Sequence, residues 1–165
     1  MPDFELTLSS EEFFSRFADD SMSVELCKKC PEYGARWSCP PYAEKLNLRA
    51  FSKVRIVLRR VDARGDVAAA HFAERAGFDA LMLGLEKKLG GVAFFAGKCA
   101  NCALEKCPRS ENKPCAFPEK MRRSFEGAGF DVSRAVSELF GEKIEWDKGG
   151  AKAKSATLVA ALFFD

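Results

Sequence analysis

The stretch Thr157-Leu158-Val159-Ala160-Ala161-Leu162-Phe163-Phe164 decides the fold. Its apolar residues follow one another without alternation, and the run is shorter than an ordinary helix, which reads as a β-strand buried on both faces. Just upstream, Lys143 to Asp147 reads as a strand joined to it across Lys148-Gly149-Gly150. Further back, Asp131 is placed to cap a helix carrying Val132, Val136, Leu139 and Phe140. Pro118 suits the first turn of another helix, with Met121 and Phe125, stopped by Gly127 and Gly129. Val54, Ile56 and Leu58 alternate with Arg55, Val57 and Arg59 as in a strand. Residues 65–89 then place Phe78, Leu81, Met82, Leu85 and Leu89 at helical spacing, Gly90-Gly91 ends that helix, and Val92 to Ala96 forms a short strand. Residues 54–96 therefore predict a strand–helix–strand unit of the kind that makes a right-handed parallel crossover. At the N-terminus, Ser9 followed by Glu12 has capping-box spacing and leads into Phe13, Phe14 and Phe17. The expected class is α+β, a mixed sheet of about four strands with packed helices, forming a single domain over residues 1–165.

At 165 residues, with 47% hydrophobic content and 15 Phe, the chain has ample material for a core. Its 26 basic and 24 acidic side chains leave a net charge of +2, which offers no electrostatic reason to expect a nucleic acid partner. The longest apolar run falls far short of the roughly 18 residues of a membrane span, and Met1-Pro2-Asp3-Phe4 begins no leader pattern. These features predict a cytoplasmic protein with no membrane partner. An odd cysteine number and a reducing compartment both argue against a disulfide framework.

The seven cysteines fall into two groups, Cys27, Cys30 and Cys39, then Cys99, Cys102, Cys107 and Cys115. Thiolates gathered on short segments repel one another unless a metal ion or an iron–sulfur core neutralises them. The second group is a complete four-sulfur set, which fits tetrahedral zinc or an iron–sulfur cluster. Seven residues separate its third and fourth cysteines, a spread that suits a cluster better than a single ion, and Pro108 and Pro114 make Cys-Pro and Pro-Cys junctions of the ferredoxin kind. The first group has three sulfurs, so a fourth position falls to another side chain, water or substrate. The alternatives for it are a second cluster, a structural or shared metal site, and a redox dithiol of Cys27 and Cys30 beside Lys28, Lys29 and Arg36. Pro31, Gly34, Pro40 and Pro41 give this segment the composition of a binding loop. Both Cys-rich loops are expected at an edge of the sheet.

His71, the one histidine, lies far from both groups in sequence and reads as an ordinary helical residue. Lys98, Lys106, Arg109 and Lys113 flank the second group and read as solvated loop charges, while Trp37 and Tyr33 read as anchors of the first loop. Phosphate-loop, dinucleotide-binding, zinc-protease and serine-hydrolase motifs are missing from the sequence, so those mechanisms have no support.

The stretch Cys30-x2-Tyr33-Gly34-x2-Trp37-Ser38-Cys39-Pro40-Pro41 resembles an uncharacterised prokaryotic family of predicted metal-binding proteins, a domain of unknown function. The block from Cys99-x2-Cys102 to Cys115, then Pro118-Glu119-Lys120-Met121-Arg122 and Gly129-Phe130-Asp131-Val132, is similar to further motifs of that family. The sequence departs from it at Ala116, where Arg is frequent, and at Phe130, where Ile is common. The resemblance implies metal binding and leaves the reaction open. Together these readings predict an iron–sulfur protein. Cys99, Cys102, Cys107 and Cys115 would hold a 4Fe-4S cluster and Cys27, Cys30 and Cys39 help hold a second site, serving electron transfer or accessory redox work with an unidentified partner protein. Zinc is the alternative cofactor, in a structural or regulatory interaction module, and an iron–sulfur enzyme with an open position at the three-cysteine loop is the third reading.

Overall fold

The computed structural model describes residues 2–63, 65–102 and 106–165. Four strands form one sheet in the order β1-β2-β4-β3, with β1 at Phe4–Ser9, β2 at Lys53–Asp62, β3 at Val92–Phe94 and β4 at Ser155–Phe164. The run that opened the sequence reading is β4, a central strand paired over ten residues with β2 and at its C-terminal end with β3. Alternate β4 side chains serve two cores. Val159, Ala161 and Phe163 face a phenylalanine-rich layer containing Phe13, Phe17, Phe125 and Phe130, which includes α1 (Ser10–Phe17) and α4 (Val132–Phe140). Leu158, Ala160, Leu162 and Phe164 face Phe78 and Met82 of α3 (Val67–Leu89). Both faces are thus covered, which is why the strand needs no polar residue between Leu158 and Phe164.

The α+β class and the four-strand sheet hold, with one difference in strand direction. Every pairing between the four strands is antiparallel, so the sheet is not mixed; β2 and β3, each antiparallel to β4, still run parallel to one another as the strand–helix–strand unit predicts, with β4 inserted between them. A single parallel bridge, Phe95 with Ser124, lies just beyond β3. That bridge explains a second difference. The expected helix after Pro118 makes one turn, with Met121 N–H on Phe117 O at 2.9 Å, and then runs extended. Its backbone is taken by Phe95, which donates to Arg123 O and accepts from Phe125, each at 3.0 Å, and by Ser38 O, which accepts from Ser124 at 2.8 Å. The expected strand at Lys143 to Asp147 is likewise irregular. Side-chain oxygens replace the ladder there, Glu145 accepting from Lys154 and Ser155 and Asp147 from Ala153.

The capping predictions hold. Ser9 Oγ accepts from Glu12 N at 3.1 Å and Asp131 Oδ1 from Arg134 N at 3.0 Å. The turn at Gly90-Gly91 is a close approach as well as a helix stop: a Cβ on Gly91, whose φ is +100°, would lie 1.9 Å from Phe163 O. Strand β1 and helix α2 (Asp20–Lys28) are the elements with no counterpart in the sequence reading. The second matters for function, because it carries Cys27 in its last turn, so the first cysteine group begins on a helix.

Candidate metal centre

The first cysteine group is assembled from three local structures. Helix α2, capped by Asp19 Oδ1 accepting from Met22 N at 2.9 Å, presents Cys27, and a tight turn donates Cys30 N–H back to Cys27 O at 3.0 Å. The Pro/Gly-rich loop then returns Cys39, whose N–H bonds Arg36 O, while Gly34 N–H bonds Pro40 O at 2.8 Å. Cys27, Cys30 and Cys39 share the wall of one pocket of about 570 Å³. Cys30 is exposed, Cys27 half-buried and Cys39 buried. A neighbouring cleft of about 450 Å³, bordered by Phe14, Tyr42 and Arg123, has no cysteine in its lining.

The second group starts at the edge of the sheet, where the chain leaves β3 through Phe95-Ala96-Gly97-Lys98 to Cys99. Cys99, Cys102 and Cys115 are half-buried, with Cys102 and Cys115 each within electrostatic reach of Cys99, and Cys107 is buried at the start of the 3-10 turn Pro108–Glu111. Ala103, Leu104 and Glu105, inside this segment, fall outside the described residues.

The two groups are bound to each other by residues adjacent to the cysteines. Ser38, fully buried, accepts from Cys99 N–H at 2.9 Å while its hydroxyl lies 3.7 Å from Cys39 Sγ. The hydroxyl keeps a second lone pair as well as its proton, so either Ser38 or the Cys39 thiol can donate across this contact, and Ser38 donates once Cys39 is a thiolate. Arg109, two residues after Cys107, donates to Arg36 O at 2.8 Å, Cys39 O at 2.6 Å and Pro41 O at 2.5 Å, and stacks over Trp37. Trp37 Nε1 donates to Lys113 O at 3.1 Å, and Lys98 pairs with Glu32 at 2.7 Å. Trp37 is therefore an anchor, as the Pro/Gly-rich composition of its loop suggests, and Arg109 is a structural tie rather than a solvated charge, while Lys98 is an exposed charge that pairs with Glu32 at the surface. Beneath them Arg75, 2% exposed, holds Asp79 through two bonds of 3.0 Å and donates to Lys98 O at 2.6 Å.

Burial sets the electrostatics. It pushes the Cys39 thiol up to about 11 against the lowering effect of Ser38, with Cys30, Glu32 and Cys27 adding to the rise. Burial also raises Cys27, helped by Glu126 and Cys30, and raises Cys99, where Cys102 and Cys115 add to the rise and the Asn101 amide and Arg75 oppose it. Without a metal these three thiols stay protonated at neutral pH, and a bound cation would have to displace their protons. His71 sits closer than its sequence position suggests, since a Cβ on Gly97 would lie 3.9 Å from its Cε1, and burial followed by Arg75 lowers its pKa to about 4. It is a neutral imidazole beside the second loop.

Among the described residues, no three His, Cys, Asp or Glu side chains stand close enough together to hold an ion as they are placed. What fits a metal is the donor chemistry, three soft sulfurs on one pocket wall and a second set tied to it through Ser38 and Arg109. Residues 19–164 match the model of the domain-of-unknown-function family DUF2284, described as predicted metal-binding protein. The chain belongs to this family. Both cysteine groups and the ties between them fall inside the matched span, so the family's description and the donor sets coincide. No curated protein and no solved structure matches the chain. Among the described residues no helix is long and apolar enough to cross a membrane. Sequence reading missed Ser38, Arg75 and Glu126 as parts of the site. Only Ser38 had a signal, its place between Trp37 and Cys39 in the motif.

Proposed function

We propose that the chain is an iron–sulfur protein serving electron transfer or accessory redox work, with Cys99, Cys102, Cys107 and Cys115 holding a 4Fe-4S cluster and Cys27, Cys30 and Cys39 a second centre. The observation that carries this reading is the set of ties joining the groups: Ser38 touches Cys39 and bonds Cys99, and Arg109 bonds Cys39 O. Two thiolate groups held together in this way suit passage of an electron between neighbouring centres. A bound cluster would supply reversible one-electron chemistry at a potential set by hydrogen bonds, charge and exposure. The residues of the chain provide those controls. Ser38 directs a hydroxyl at Cys39, Asn101 N–H approaches Cys99 Sγ at 3.5 Å, and buried Arg75 supplies positive charge near Cys99. Exposed Cys30 leaves the first centre accessible to a partner or small molecule.

The test is a count of iron, zinc and acid-labile sulfide per chain in protein purified without oxygen, with visible spectra before and after dithionite. Four or more irons with matching sulfide and a bleachable brown colour are expected. Stoichiometric zinc without sulfide would replace this reading with a zinc-stabilised module.

A further inference from the structure

The pocket holds no fourth cysteine beside Cys27, Cys30 and Cys39, and its lining contains three carboxylates, from Glu32, Glu126 and Asp131. Two of them are committed. Glu32 is bracketed by Arg36 and Lys98, and Asp131 caps α4 through Arg134 N–H. Glu126 has no ion-pair partner among the described residues; its carboxylate meets only backbone amides, those of Gly97 and of Glu126 itself, and it lies within electrostatic reach of Cys27. The nearby cations are spent elsewhere, Lys98 on Glu32 and Arg75 on Asp79.

We infer that Glu126 is the fourth ligand of the metal held by Cys27, Cys30 and Cys39, an inference that rests on those cysteines being metal ligands. The local backbone is built to hold it there. Glu126 opens a 3-10 turn packed against α2, the helix that carries Cys27. The next residue, Gly127, admits no side chain, since a Cβ would stand 2.5 Å from the Tyr42 hydroxyl and 2.6 Å from Ser124 Oγ. At Gly129 a Cβ would stand 2.2 Å from Asp20 Oδ1, and Asp19 N–H bonds Gly129 O at 2.9 Å. The turn is thereby fixed to the start of the same helix whose end bears Cys27. Glu126 itself is exposed at the pocket wall. Binding a cation there would draw in three thiolates and one carboxylate and release the thiol protons. A mixed sulfur and oxygen set leaves one metal–ligand bond weaker and more exchangeable than the thiolate bonds, which gives a partner molecule a defined point of entry.

The test uses the full chain purified without oxygen as wild type, C39S, E126Q, E126D and E126C. Zinc, iron and sulfide are counted before and after challenge with EDTA, with circular dichroism as the folding check. C39S should lose the metal of the first site. E126Q should keep that metal at least about ten-fold less tightly, with E126D closer to wild type and E126C, a four-thiolate set, at least as tight as wild type. Equal retention in E126Q and wild type, with metal lost in C39S, overturns the Glu126 assignment alone. Wild-type metal content in C39S overturns the three-cysteine site as well. Should E126Q not fold, indistinguishable retention in E126D, E126C and wild type overturns the assignment.

Discussion

Arg109 shows how one side chain can organise a site without touching a donor atom. Its guanidinium serves three carbonyls, of Arg36, Cys39 and Pro41, and lies over Trp37. R109A should therefore destabilise the protein by about 2–3 kcal/mol in chemical denaturation, since charged hydrogen bonds to carbonyls left in a packed loop are costly to lose. R109K, a point charge without the planar fork, should recover only part of it. His71 gives a pH-dependent counterpart. Its pKa is about 4 in the folded chain against an ordinary 6.5, so the unfolded chain binds the extra proton between those values. The stability contributed by neutral His71 is complete above pH 6.5 and is lost as pH falls through about 4. Metal-free protein titrated from pH 7 to pH 4 should lose stability over this window, and H71Q should lose less.

At the scale of elements, β4 is the member on which both cores close, and its approach to the turn before β3 leaves no space for a side chain. G91A would place a methyl 1.9 Å from Phe163 O on a backbone with φ of +100°, so a loss of more than about 3 kcal/mol is expected from thermal or denaturant unfolding. β4 was legible because being apolar on both faces is a local property of Leu158 to Phe164. The helices at Ser9 and Asp131 were legible through their caps. The segments at Pro118 and Lys143 were not, because their hydrogen bonds go to partners remote in sequence or to side chains: Ser124 to Ser38, Lys154 to Glu145. The cysteine residues themselves announced a site by spacing, while Glu126 announced nothing, since its relation to Cys27 arises only when the turn at Glu126 packs on α2.

Over the whole molecule, the cores and the cysteine groups occupy different places. The residues that fill both faces of the sheet include Phe13, Phe163, Phe78 and Met82, and the two cysteines that are buried, Cys39 and Cys107, belong to neither cluster. Removing metal with a chelator under reducing conditions should then leave the far-ultraviolet circular dichroism and a cooperative unfolding transition intact, with the midpoint lowered. Collapse of the spectrum would mean that the metal, rather than the two cores, maintains the sheet. The ties between the cysteine groups have a further consequence in time. The bonds from Ser38 to Cys99 and from Trp37 to Lys113 span 61 and 76 residues of chain. During synthesis the first three cysteines emerge from the ribosome before the segment that locks them, so the ties between the two groups close only after the second group has been made.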